Sequence, residues 1–282
     1  MISKPIEKYL KRADELEIFP AAAERIREIV EREDTSLTEL EQAVSLDPTL
    51  CVQIVKLANS PFYGMRREVA SLRQALFVLG FNATQDLALA LALMALGRSE
   101  RPLSRKLWRH SLRMAVASQM VAHSVGRPDS EAFLSGLLHD LGKFVFLELD
   151  EERYAPILEE NFNNPEPLLE AEKNLFAFNH GAFTGACLER WDLPDRICIA
   201  VRYHHDVETM TPSALGTSYR PAAVIWLANQ LEHRMARKQP EDEIAFELSE
   251  TQQAVTLGVT EKHLKSVADD LDLAVRRLAL PS

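Results

Sequence analysis

The chain has 282 residues, of which 46% are hydrophobic and 26% are charged, and its formal net charge is -10. This balance excludes a disordered chain, and the length is sufficient for a well-buried core. The negative charge argues against nucleic acid as a partner, because phosphates are repelled unless a basic patch is present. The basic stretch from Arg98 to Arg113 is the candidate patch, but its helical spacing is typical of a solvated helix face.

Glycine and tyrosine are scarce while Ala, Leu and Glu are plentiful, so the composition favours helices over sheets. No segment alternates apolar and polar residues with a period of two, and we therefore predict an all-α fold. The predicted helices, in chain order, cover residues 21–32, 40–46, 49–59, 71–79, 82–96, 103–125, 130–149, 151–160, 167–178, 180–191, 194–205 and 221–237, with two short helices in 251–280. The segment 206–221 is rich in Thr, Ser, Gly and Pro and predicts a loop.

Capping patterns support these boundaries. Ser36 and Glu39 form an S-x-x-E capping box, and Gly80 and Gly126 follow predicted helix ends. The most apolar segment, Leu87–Leu96, is far shorter than the roughly 20 residues of a membrane-spanning helix. It therefore predicts a buried core helix rather than a membrane protein.

The cysteines Cys51, Cys187 and Cys198 form no C-x-x-C pair. A sparse, odd set of this kind predicts reduced thiols and a cytoplasmic location. The stretch from Met1 to Lys11 is charged throughout and has no apolar segment, so we expect no signal peptide.

One aspartate and five of the eight histidines lie on predicted apolar helical stripes: His110, His139, Asp140, His180, His204 and His205. A buried carboxylate carries a large desolvation penalty unless it is paired, hydrogen-bonded or bound to a metal. Histidine and carboxylate together are a common ligand set for first-row divalent metals. A single histidine on such a stripe is more often a hydrogen-bonded core residue, so a metal site and a buried polar cluster both remain open.

The segment Leu137–Lys143, which contains the His139–Asp140 pair, resembles the signature of the HD superfamily of metal-dependent phosphohydrolases. The segment around His110 is similar to that family's first histidine ligand. The later histidines resemble the additional ligands of the two-metal HD-GYP branch: His180, His204 and His205.

This resemblance implies one or two divalent ions, of Fe, Mn, Ni or Zn, held by the six residues above, with Asp140 bridging the two metals. It also implies that Lys143 lies near a substrate phosphate, if the protein is an enzyme. The site could equally hold no metal.

The N-terminal half is similar to that of HDOD (HD-related output domain) proteins, in the segments 18–20, 46–50, 57–60 and 75–80. The resemblance spans about Leu16 to His233. It implies an N-terminal helical subdomain (1–97) packed on an HD-like helical core (98–237), followed by a C-terminal helical extension (238–282).

Two departures from the hydrolase pattern bear on function. Asn229 stands where HD hydrolases have a terminal aspartate ligand, and the GYP motif is absent. An asparagine is uncharged and a poorer ligand for a hard cation; Asp206 is the nearest alternative carboxylate.

The resemblance favours a bacterial signal-transduction protein that binds a signalling partner or a small phosphorylated ligand, without catalysis. The alternative is a metal-dependent phosphohydrolase acting on a nucleotide or a cyclic dinucleotide.

Overall fold

The computed structural model describes residues 3–15, 26, 28, 36–45, 48–59, 68–93, 101–126, 130–191 and 193–278. Within these residues every regular element is helical, which confirms the predicted all-α fold. The predicted helix 21–32, apart from residues 26 and 28, and the segment 18–20 lie outside the described residues. In the part of the chain that is described, no helix is long and apolar enough to cross a membrane.

The helices fall into an N-terminal set and a larger C-terminal set. The first set is α1 (Lys4–Glu15), α2 (Leu37–Ser45), α3 (Pro48–Ala58), α4 (Leu72–Leu79) and α5 (Phe81–Leu93). The second set is α6 (Pro102–Ser124), α7 (Ser130–Leu138), α8 (Leu141–Leu149), α9 (Glu151–Glu160), α10 (Pro165–Phe176), α11 (His180–Arg190), α12 (Asp195–Arg202), α13 (Pro212–Leu215), α14 (Tyr219–Ala236), α15 (Glu241–Ser249), α16 (Gln252–Leu257) and α17 (Glu261–Leu278).

Local capping explains several of these boundaries. The backbone N–H of Ser36 donates to Glu39 Oε2 at 2.9 Å, and the Glu39 N–H donates to Ser36 Oγ at 3.3 Å, so the predicted capping box is present at the start of α2. Gly80 ends α4 with φ 81°, a conformation that glycine adopts without the steric penalty of a Cβ atom.

Two predicted elements were wrong in their boundaries. The helix predicted over 130–149 is interrupted at His139 and Asp140, which lie in a turn between α7 and α8. The His139 ring lies 2.8 Å from the Gly136 carbonyl oxygen. This carbonyl therefore has a side chain as its hydrogen-bond partner, in competition with the backbone N–H of a continuing helix. The predicted loop 206–221 contains α13, a 3-10 turn and the start of α14.

The centre of the molecule is α6, which packs against α7, α14 and α17. A Cβ atom on Gly136 would lie 2.5 Å from the Met114 carbonyl oxygen, so the close approach of α7 to α6 requires glycine. The N-terminal set packs on this core through α5 against α7 and through α1 against α8 and α11. The apolar segment in α5 is buried at Leu87 and Leu91, as predicted for a core helix.

Candidate metal centre

The six predicted ligand residues converge on one point, but most of them lie at helix ends rather than on helical stripes. Only His110 is in the middle of a helix, α6. His139 and Asp140 form the turn between α7 and α8, His180 is the first residue of α11, and the remaining pair, His204 and His205, follows the end of α12. A helix end frees a side chain from the packing of its own helix, so imidazoles from four segments can meet.

Asp140 is the centre of the cluster. Its Oδ2 lies 3.5 Å from His110 Nε2 and 3.3 Å from His139 Nε2, and its Oδ1 lies 3.2 Å from His180 Nε2. Asp140 precedes α8 but makes no side-chain capping hydrogen bond to it, so both oxygens face the histidines. With its side chain only 1% exposed, this carboxylate depends on those partners.

The ligand atoms form two groups that could each hold an ion. His110, His139 and Asp140 offer atoms within 4.8 Å of one another, and all three residues are buried. His180, His204 and His205 form the second group within the same distance, with His205 partly exposed. His180 Nε2 lies 3.0 Å from His205 Nε2.

Backbone carbonyl groups orient two of the histidines. His139 Nδ1 contacts the Gly136 carbonyl oxygen at 2.8 Å, and His204 Nδ1 contacts the Val201 carbonyl oxygen at 2.5 Å. Because a carbonyl oxygen only accepts, the proton of each neutral ring lies on Nδ1 and the lone pair lies on Nε2. This is the tautomer that binds a metal through Nε2.

Carboxylates orient the other two buried histidines. Glu172 Oε2 lies 2.7 Å from His180 Nδ1 and also accepts the His180 backbone N–H at 2.8 Å. Glu232 Oε2 lies 3.2 Å from His110 Nδ1. Each of these four histidines therefore has a carbonyl or carboxylate oxygen close to Nδ1 and presents Nε2 to the centre, an arrangement typical of metal ligands.

Glycines allow the helix carrying His180 to approach its neighbours. A Cβ on Gly142 would lie 2.7 Å from the His180 carbonyl oxygen, and a Cβ on Gly181 would lie 3.3 Å from His204 Cε1. The Gly142 N–H donates to Thr184 Oγ1 at 2.8 Å and ties α8 to α11. The spacing of the cluster thus depends on small residues next to its ligands.

Lys143 contacts the central carboxylate of the cluster. Its ammonium group is buried and donates to Asp140 Oδ2 at 2.7 Å. It therefore balances the charge of the carboxylate that contacts histidines of both ligand groups.

Burial and charge set the protonation of the cluster. Burial lowers the pKa of His139 to about 3 and holds the pKa of His204 well below its usual value, so both rings are neutral. Burial alone would raise the pKa of Asp140, but His139, Lys143 and His180 outweigh it and keep that pKa well below its usual value. Burial lowers the pKa of His180, but Glu172 and Asp140 outweigh it and raise that pKa. The neutral His139 and His204 rings beside the ionised Asp140 are in the forms that bind divalent cations.

The residues present fit a divalent ion. His139 Nε2 and His204 Nε2 are buried and lack a hydrogen-bond partner among the described residues. Buried polar atoms without partners are rare and costly, and a cation would satisfy both. A bound ion would supply a Lewis acid and an acidified water molecule at this point.

Sequence reasoning missed three residues of the site: Glu172, Glu232 and His233. No pattern in the sequence indicated Glu172 as a site residue, since it is one glutamate among several in a polar segment. Glu232 and His233 stand three and four positions after Asn229, a spacing that places them near its face of α14 and could have indicated them. The His233 ring stacks on His110 with centroids 5.3 Å apart.

Asn229 itself is buried, and its Oδ1 has no hydrogen-bond partner among the described residues. Asp206, the alternative carboxylate, is partly exposed and forms no ion pair with these histidines in the described structure. The carboxylates that do contact the histidines are Asp140, Glu172 and Glu232.

Cys51, Cys187 and Cys198 form no disulfide, and none of them belongs to the cluster. Burial raises the pKa of Cys198 to about 12 and raises that of Cys187 further. Both therefore behave as small apolar residues.

Curated relatives match only part of their own length. An uncharacterized protein of Treponema pallidum (strain Nichols) is 23% identical over 198 residues, which cover 70% of this chain and 39% of the relative. The uncharacterized protein YuxH of Bacillus subtilis (strain 168) is 23% identical over 121 residues, which cover 43% of this chain and 30% of that protein. The chain thus spans less than half the length of these relatives.

Solved structures match nearly the whole chain. A Shewanella amazonensis SB2B protein, provisionally named a phosphohydrolase, has a TM-score of 0.71 at 21% identity, covering 97% of this chain and 98% of its own. An HDOD domain protein with unknown function from Geobacter sulfurreducens has a TM-score of 0.64 at 24% identity, covering 92% and 89%. A protein from Marinobacter aquaeolei VT8, provisionally named a signal transduction protein, has a TM-score of 0.62 at 24% identity, covering 98% and 63%.

These likenesses establish the fold, and the family match is more specific. The HDOD domain family matches residues 16–207, which include all six predicted ligands and the helices α2 to α5 before them. The chain therefore belongs to the HDOD domain family.

Proposed function

We propose that this protein is a bacterial regulatory HDOD module that binds a signalling partner or a small ligand and has negligible catalytic activity. Membership of the HDOD family supports this role. The Marinobacter protein of similar fold, provisionally named a signal transduction protein, is consistent with it.

The observation that carries the proposal is the charge of the cluster. Asp140 is the one carboxylate in the described structure that faces the Nε2 atoms, and it is already paired with Lys143 at 2.7 Å. Glu172 and Glu232 lie behind the histidines, on Nδ1. Carboxylates offset the charge of divalent ions whereas imidazoles do not, so two ions here would be poorly neutralised.

Asn229 adds to this shortage of negative charge around the ions. A neutral amide occupies the position that the HD resemblance assigns to a carboxylate, and its buried oxygen has no partner in the described residues. The group formed by His110, His139 and Asp140 would therefore bind an ion weakly. Two well-held metals are what a two-metal hydrolase needs to stabilise the attacking and leaving oxygens.

A metal-dependent phosphohydrolase is the second candidate, and one observation favours it. Four buried histidines present Nε2 to one centre with Nδ1 held by a carbonyl or a carboxylate. Such preorganised ligands are costly to maintain in a protein that never binds metal. Its substrate would be a nucleotide or a cyclic dinucleotide.

The experiment combines metal analysis with a hydrolysis screen on untagged full-length protein. We expect at most one ion per chain, and no turnover of p-nitrophenyl phosphate or bis-p-nitrophenyl phosphate above the blank with added Mn²⁺ or Fe²⁺. Turnover that is lost in His139→Ala would refute the regulatory proposal in favour of the enzyme.

Replacing Asn229 by a carboxylate tests whether negative charge at this position limits metal binding. In Asn229→Asp a carboxylate would offset part of the ionic charge, so we expect Mn²⁺ affinity to rise at least tenfold in equilibrium dialysis. Asn229→Ala, which adds no charge, is the control and should show no rise. An equal affinity in Asn229→Asp and wild type would show that this position does not reach the metal.

A further inference from the structure

A cavity of about 420 Å³ lies beside the cluster, and α6, α14, α17 and the segment after α9 supply its walls. His110 and Glu232 belong both to the cavity lining and to the cluster. The volume lies within the range of roughly 300–1,000 Å³ that is typical of small-molecule sites. A small molecule could therefore reach the His110 side of the cluster.

The cavity is basic in a protein whose formal net charge is -10. Lys106, Arg109 and Arg113 line it, and Glu232 is the one carboxylate among its lining residues. Neither Lys106 nor Arg109 pairs with a carboxylate in the part of the chain that the structure describes, so their charges are available to a ligand. Unpaired cations at the mouth of a small cavity favour an anion, and phosphate is the group that such side chains bind well.

Arg113 has a different role. Its Nε donates to Glu232 Oε1 at 3.2 Å, and its guanidinium group also pairs with Asp272 on α17. These ion pairs connect α6 to α14 and α17 and fix the wall of the cavity. Arg113 is therefore a positioning residue, whereas Lys106 and Arg109 are the anion-binding candidates.

The remaining lining is apolar and includes an aromatic ring. Leu112, Phe162, Ala236 and Val275 contribute these walls. The Lys106 ammonium lies over the Phe162 ring, 3.8 Å from its centre, so the cation and the aromatic ring are in direct contact. A ligand that uses both must combine an anionic group with a flat apolar one.

We propose that this cavity binds a phosphorylated small molecule with a ring system, of the nucleotide class, with its phosphate on Lys106 and Arg109 and its ring against Phe162 and Val275. The inference deepens the proposed regulatory function, on which it rests, by naming the ligand class. Several lining residues stand after residue 207, where the family match ends, so the C-terminal helices complete the site.

The test is isothermal titration calorimetry on the full chain with AMP and GMP as probes. We expect at least one mononucleotide to bind, with adenosine, guanosine and inorganic phosphate each at least tenfold weaker. The reason is that only a nucleotide engages the basic and the apolar walls together. Absence of binding by both mononucleotides would overturn the proposal.

Charge reversal identifies the site. Lys106→Glu and Arg109→Glu should each weaken mononucleotide binding at least tenfold. Arg105→Glu is the matched control, because Arg105 is exposed on the same helix, does not line the cavity and undergoes the same change in charge. It should change the affinity less than twofold. An equal loss in Arg105→Glu would show non-specific attraction and refute the cavity as the site.

Folding of each variant is checked by its thermal melt, and Arg109→Ala serves as a milder second variant with an expected loss of at least threefold. Asp140→Ala separates the two proposals, because it removes the centre of the metal cluster but no lining residue of the cavity. A protein that binds AMP or GMP yet hydrolyses phosphodiesters refutes only the regulatory proposal. An inactive protein that binds neither refutes only the cavity.

Discussion

Glu172 is the residue whose replacement tests the architecture behind the cluster most directly. It is fully buried in α10 and accepts three hydrogen bonds. The Tyr154 hydroxyl donates to Oε1 at 2.6 Å, while the His180 backbone N–H and His180 Nδ1 lie 2.8 and 2.7 Å from Oε2. In Glu172→Gln the side-chain size is kept, but one of the two acceptor oxygens becomes a donor amide.

The expected cost follows from those three contacts. A hydrogen bond to a charged group contributes about 1.5–3 kcal/mol, and an unsatisfied buried donor costs about 1–3 kcal/mol. The single oxygen of the glutamine amide cannot serve both Tyr154 and His180 as the carboxylate does. We therefore expect Glu172→Gln to lower the free energy of unfolding by about 2–4 kcal/mol, within the range of broken buried pairs. The melting temperature should fall by roughly 5–15 °C in a chain of this size.

Urea denaturation followed by circular dichroism measures this loss. Glu170→Gln is the matched control, because Glu170 is exposed on the same helix, and it should stay within about 0.5 kcal/mol of wild type. A double-mutant cycle with Tyr154→Phe should give a coupling energy of about 0.5–3 kcal/mol. A Glu172→Gln protein as stable as the control would refute the claim that this carboxylate holds His180 in place.

The remaining predictions concern the metal, the packing and the thiols. If the wild type binds a divalent ion, Asp140→Ala should remove it in metal analysis, because both ligand groups depend on this carboxylate; retention of the full complement would contradict the site. Gly142→Ala should cost about 1–3 kcal/mol in thermal denaturation, because its Cβ would lie 2.7 Å from the His180 carbonyl oxygen. Cys187 and Cys198 should resist iodoacetamide in the native protein and react in urea, because burial raises the pKa of both thiols and shields them; mass spectrometry showing rapid native labelling would contradict the burial.

Much of the fold could be predicted from local sequence. Ser36 with Glu39 and the glycine at position 80 act on their own helices, through contacts within a few residues, and the structure has both features. The break at His139 was missed because it depends on a side-chain contact with Gly136 that competes with the helix. Hydrophobic periodicity continues across that break and cannot reveal it.

For the candidate site too, some features could be predicted from the sequence and others depend on the tertiary structure. The sequence by itself determined which residues converge, since the order of the histidines around Asp140 resembles a known ligand pattern. Tertiary structure alone decided what holds them: Glu172 on His180, Glu232 on His110, and Lys143 on Asp140. Arg113 and its partner Glu232 are separated by 119 residues, and nothing in local spacing joins them. A carboxylate becomes a partner only when packing removes its water and brings a donor within reach, and that depends on the whole fold.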